Sequence, residues 1–291
     1  MDSTTNHLLV PVDYSEKSMY GLQMADNLLN KSGGQLTVIN ILKGVDPIWS
    51  DFFTEEERQN LLLKLKKHLE NFTAKYIKNG NYKVNYMISK GMLCDTILKT
   101  ANELDVTKII MGTSTADNIK KRIIGTNALR VVSEAHCPVI TLKKTPQSNE
   151  INKIILPLDV SKETKEKVVY AVHLAKRYDA EIDVISAYTI NDEIILKKLD
   201  LQQKQVVRFI KDHGIKCEGD LIKVKDRVDG VLKYMEDKKG DLVVITTHQQ
   251  MELVSSFMGS FAKSIISKAN IPVMSIVPKI KNHVIFKLPA S

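Results

Sequence analysis

The chain has 291 residues, 43% of them hydrophobic and 26% charged, with a formal net charge of +8. The length suits two domains, and the balance is that of a globular protein with cores of its own. The positive charge divides evenly between the halves without a dense basic stripe, and no apolar run reaches the roughly 20 residues that span a bilayer, so neither nucleic acid nor a membrane is expected as a partner.

In chain order, residues 1–6 offer no basic segment followed by an apolar one, so no signal peptide is read there and a cytoplasmic location is expected. The apolar run 8–12 has strand length. Asp13 and Ser15 then offer capping oxygens to a helix whose apolar positions are Met19, Leu22, Ala25, Leu28 and Leu29, and Gly33-Gly34 stops it. A strand follows at 36–42. A long amphipathic helix is predicted over 54–78, with Leu61, Leu62, Leu65, Leu69 and Phe72 on one face. Its Lys64, Lys66 and Lys67 mingle with Glu55, Glu56, Glu57 and Glu70, as on a solvated helix face. Strand 82–88, helix 92–103, strand 108–111, helix 127–135 and strand 139–142 complete the first half. Cys94, Cys137 and Cys217 are far apart, match no metal spacing and read as reduced, buried thiols.

After a polar linker at 143–152 the chain repeats itself. His7-Leu8-Leu9-Val10-Pro11-Val12-Asp13-Tyr14-Ser15 reads like Lys153-Ile154-Ile155-Leu156-Pro157-Leu158-Asp159-Val160-Ser161, an offset of 146. Ala135-His136-Cys137-Pro138-Val139-Ile140 reads like Ala269-Asn270-Ile271-Pro272-Val273-Met274, and Gly125-Thr126 like Gly259-Ser260, both at 134. The second copy is therefore shortened in its middle. Its strands are expected near 154–158, 182–187, 215–222, 242–246 and 273–277. Strands apolar throughout, alternating with helices, predict a parallel, doubly wound α/β sheet in each half.

In such sheets ligands bind beyond the carboxyl ends of the strands, where the strand order reverses. In the first copy those ends carry Pro11, Asp13 and Ser15, then Met111, Gly112 and Thr115, and Gly125-Thr126-Asn127 opens the next helix. A helix start with free N–H groups suits phosphate. Lys120, Lys121 and Arg122 lie in the intervening loop. Asp13 as a simple helix cap, Thr126 as an N-cap, and Ile41 and Met111 as core residues are the alternatives.

The opening Leu-Val-Pro-Val-Asp-x-Ser, the strand ending Ile-Met-Gly and the later Gly-Thr-x-x-x-Arg-Val-Val-x-x-Ala-x-Cys-Pro-Val together resemble the universal stress protein family, twice over nearly the whole length. The resemblance implies two tandem Rossmann-like domains of the adenine nucleotide alpha hydrolase-like type, at 1–145 and 150–291, each a five-stranded parallel sheet flanked by helices. ATP-binding members carry G-x2-G-x9-G-[S/T] after the fourth strand. The first copy reads Gly112-x2-Thr115-x9-Gly125-Thr126, with a threonine side chain where the middle glycine would be; the second reads Thr246-x2-Gln249-x9-Gly259-Ser260, without either early glycine. By resemblance, Asp13 would face the ribose or the Mg²⁺ of a nucleotide. Pro11, Ile41 and Met111 would contact the adenine region. Gly112, Thr115, Gly125, Thr126 and Asn127 would surround the phosphates. The second copy reads as a structural partner whose nucleotide site is lost or strongly altered.

Three functions follow: an ATP-binding regulatory protein of the stress response, a stress-response scaffold that binds no nucleotide, and, ranked last, a slow ATPase. The resemblance also implies pairing of the two copies inside one chain, with a homodimer as the alternative. The tail at 283–289 alternates like an edge strand, and His248 stands alone in its loop.

Overall fold

The computed structural model describes residues 6–44, 52–78, 80, 82–113, 125–145, 148, 150–158, 164–247 and 258–278. Thr115, Lys120, Lys121, Arg122, Asp159, His248, Gln249 and the 283–289 tail lie outside the described residues. The first half runs β1 (His7–Pro11), α1 (Glu16–Ser32), β2 (Gln35–Leu42), α2 (Glu55–Thr73), β3 (Lys83–Lys90), α3 (Leu93–Glu103), β4 (Lys108–Gly112), α4 (Thr126–Glu134) and β5 (Val139–Leu142). The second half runs β6 (Lys153–Leu158), α5 (Thr164–Tyr178), β7 (Glu181–Tyr188), α6 (Glu193–Asp212), β8 (Cys217–Lys223), α7 (Arg227–Asp237), β9 (Leu242–Thr246), α8 (Ser260–Lys268) and β10 (Val273–Ile276). The offset between copies is 146 from β2 to β7 and 134 from β3 to β8, so the shortening falls between the second and third strands.

Each half is a parallel sheet, ordered β3-β2-β1-β4-β5 in the first and β8-β7-β6-β9-β10 in the second. This is the expected pair of Rossmann-like domains. The apolar strands are buried on both faces: Leu8 and Val10 face the layer of α1 and α2, while Leu9 faces that of α3 and α4. Antiparallel pairing of β5 with β10 joins the halves into one ten-stranded sheet. Ile140 pairs with Met274, its own counterpart in the repeat, while Val139 pairs with Ser275 and Thr141 with Val273. The partners exchange under a twofold rotation, as at the contact of a symmetric dimer.

Local signals set the helix ends. Gly33 closes α1 with φ 64°, its N–H donating to Leu29 O. Thr54 and Glu57 form a reciprocal capping box on α2. That helix ends at Thr73 and not at 78, because both the Tyr76 and Ile77 N–H groups donate to Thr73 O and convert the last residues to turns. Of its apolar face only Leu69 is fully buried; Leu61, Leu62, Leu65 and Phe72 are half-buried and Leu63 is 65% exposed. The strands expected at 82–88 and 215–222 shift to 83–90 and 217–223, and the helix expected at 127–135 to 126–134. All three cysteines are free and buried.

One contact positions the first half's site. Helix α1 lies so close over β4 that a Cβ on Gly112 would come 1.9 Å from Lys17 O, and one on Gly21 would meet Val10 Cγ1 at 3.3 Å. Backbone cannot yield as a side chain tip does. Gly112→Ala is therefore expected to cost about 2–3 kcal/mol of stability in a denaturant titration; an unchanged midpoint would show that α1 is not locked to β4.

Candidate functional site

The carboxyl ends of β1 and β4 are neighbours, with Leu9 paired to Ile109, and the strand order reverses between them. This is the ligand-binding position of a doubly wound sheet. Pro11, half-buried, ends β1; Met111 and Gly112 end β4. Side chains alternate along a strand, so Pro11 shares the face of Leu9, the face that also carries Met111 and the partly buried Ile41 of β2. Pro11, Ile41 and Met111 thus lie on one side of the sheet, under α3 and α4.

The loop after β1 is tightly held. The Asn40 side-chain amide donates to Val12 O at 2.8 Å, and Val12 N donates to Ile39 O. Ser15, not Asp13, is the N-cap residue of α1, and its side chain makes no capping bond. Asp13 Oδ1 instead accepts from Ser15 N at 3.1 Å and from the Ser15 and Ser18 hydroxyls at 2.5 Å each, while Asp13 N donates to Ser18 Oγ at 2.9 Å. Asp13 Oδ2 makes no hydrogen bond with the described residues and belongs to an exposed residue. Tyr14, between them, takes the left-handed conformation at φ 65° and packs on His68 and Phe72 of α2. Ser18 is part of this constellation and the motif reading missed it; its signal was Asp-x-Ser-x-x-Ser at the helix start, which the second half echoes as Asp159, Ser161 and Thr164.

Burial works against the Asp13 charge, but the hydrogen bonds from Ser15 and Ser18 outweigh it and hold the carboxyl below its usual 3.8.

Across the gap, Gly125 is the N-cap of α4 and Thr126 its first residue. Among the described residues the helix has no side-chain cap, and its first turn carries no acid, a helix start that suits an anion. Gly125 has φ −57°, which any residue adopts, so backbone conformation does not demand glycine there; at Gly112 the Lys17 carbonyl does. Asn127 is exposed, and its Oδ1 lies 3.4 Å from Cys94 Sγ on α3, turned toward that helix.

The model of the Universal stress protein family matches residues 4–143 and again 150–276. The chain belongs to the universal stress protein family. A universal stress protein of Methanocaldococcus jannaschii is 24% identical over 142 residues, which are 44% of this chain and 83% of that protein. A putative universal stress protein of Staphylococcus haemolyticus is 24% identical over 144 residues, 48% of this chain and 86% of its own. Among solved structures, a universal stress protein of Archaeoglobus fulgidus superposes with a TM-score of 0.73 at 17% identity, covering 94% of this chain and 97% of its own. A putative universal stress protein of Pseudomonas aeruginosa gives 0.63 at 16% identity, covering 94% of both chains. At such identity the likeness speaks for the fold alone. Among the described residues no group of His, Cys, Asp and Glu could hold a metal by itself, and no helix is long and apolar enough to cross a membrane.

The depressed Asp13 value carries a sign. The carboxylate contributes stability that is present above 3.8 and is lost as the pH falls through its lower folded value. Ser18→Ala is expected to move the Asp13 titration upward toward 3.8 in carboxyl-detected NMR and to lower stability at neutral pH by about 1 kcal/mol, with the difference narrowing in acid. A titration unmoved by the substitution would refute this account of the loop.

Proposed function

We propose that this universal stress protein is an adenine-nucleotide-binding regulatory protein of the stress response, with ATP held by its first half. The observation that carries the reading is the division of labour at Asp13. Three donors on Oδ1 hold the loop, while Oδ2 is left for a ribose hydroxyl or for the Mg²⁺ of a nucleotide. Pro11, Ile41 and Met111 would take the adenine side. Gly112, Thr115, Gly125, Thr126 and Asn127 would line the phosphates, with the positive end of the α4 dipole matching their charge. Bound Mg²⁺ would neutralise phosphate charge; this chain's own residues bind and orient. The two halves act as one unit, held through β5 and β10 in solution. The protein works in the cytoplasm, and its domains follow the boundaries 1–145 and 150–291.

A scaffold that binds no nucleotide is the second reading, favoured by the Lys17 contact that gives Gly112 a purely structural reason to be glycine. Denaturing extraction of the purified protein with mass detection separates the two. The nucleotide reading expects released ATP, or a thermal midpoint raised by added Mg-ATP, and loss of both in Gly125→Val. An empty wild type that Mg-ATP does not stabilise would support the scaffold instead.

A further inference from the structure

Tyr14 stands between Asp13 and Ser15 in the loop after β1, with its backbone in the left-handed region at φ 65°. A bulky side chain makes that region costly, and such a residue persists only where its surroundings hold it there. What holds it is α2. The Tyr14 ring lies 4.7 Å from that of His68 and meets Phe72 edge-on at 5.2 Å and 88°, and Phe72 rests in turn on Tyr76 at 5.1 Å. The Tyr14 hydroxyl is buried and has no hydrogen-bond partner among the described residues, so the ring's seat is aromatic and not polar.

The ring points away from the ligand side. It packs with the layer of α1 and α2, whereas Ile41 and Met111 belong to the layer of α3 and α4. Tyr14 therefore acts on the site through the backbone. Its left-handed turn folds the chain back so that the Ser15 N–H and hydroxyl both reach Asp13 Oδ1, at 3.1 and 2.5 Å, in an Asx-type turn. Asp13 N donates to Ser18 Oγ of α1 at 2.9 Å. Asp13 is thus fixed from two sides, by α1 through hydrogen bonds and by α2 through a ring. The repeat puts Val160 at this place in the second copy, without an aromatic ring.

We propose, on the nucleotide reading of the first half, that Tyr14 is the positioning residue of that site: its ring, seated on His68 and Phe72, preorganises the Asp13 loop for the ribose or the Mg²⁺ of the nucleotide. A loop already in its bound shape loses less freedom when the ligand arrives, which raises affinity without a new contact.

Calorimetric titration of the full chain with Mg-ATP tests it. Glycine takes φ 65° freely, so Tyr14→Gly keeps the turn accessible but removes the ring, and the affinity should fall about tenfold. Tyr14→Phe, which keeps the ring and drops only the unpartnered hydroxyl, should restore the wild-type affinity. Ile210→Val, which thins the buried core of the second half, controls for lost stability and should leave the affinity unchanged. Without nucleotide, the Ser15 amide should exchange with solvent about tenfold faster in Tyr14→Gly and at the wild-type rate in Tyr14→Phe. Affinity that Tyr14→Gly leaves unchanged, that Tyr14→Phe fails to restore, or that Ile210→Val lowers as much would overturn the positioning role. A wild type that binds no Mg-ATP would overturn the nucleotide reading instead, and the Ser15 exchange then decides whether Tyr14 holds the loop: equal rates in Tyr14→Gly and the wild type would refute it.

Discussion

The antiparallel contact of β5 with β10 is the constraint on which the rest of the molecule hangs. A five-stranded parallel sheet ending in an unpaired apolar strand exposes a row of backbone donors and acceptors and two apolar faces. Here each half covers that edge of the other. Because Ile140 meets Met274, its own repeat counterpart, the two copies meet as a symmetric dimer would, inside one chain. Both core layers then run without a break through the two halves: Leu8 and Ile154 belong to one, Leu9 and Ile155 to the other.

Such an arrangement frees the two sites to diverge. The shared edge needs only the apolar last strands and the helices behind them. The switch-point residues lie at the strands' carboxyl ends, where substitutions leave the pairing intact. In the first half Gly21 and Gly112 bring α1 hard against β4, and the Asp13 loop is tied down by Ser15, Ser18 and Asn40. In the second, Lys167 and Thr246 stand where the first half has Gly21 and Gly112.

Much of the fold was legible in the sequence because parallel strands buried on both faces leave unbroken apolar runs, and the repeat fixed their order twice. The end of α2 was not, since its apolar spacing continues past Thr73 while its hydrogen bonds do not. The site was legible in part. Asp13, Gly112 and Gly125 stood out by spacing. Ser18 did not, because a serine in the first turn of a helix looks like any other. Nor did the clash that makes Gly112 necessary, because it depends on how closely another helix approaches. Nor did the contact of Asn127 with Cys94, which arises only where α4 packs on α3.

Hydrogen exchange read by mass spectrometry, with and without Mg-ATP, tests the central claim that the copies share a fold but not a ligand. The account predicts added protection in the segments carrying Asp13, Gly112 and the start of α4, with the matching segments around Leu158, Thr246 and the start of α8 unchanged. Protection that appears in the second half's segments instead, or equally in both, would contradict it.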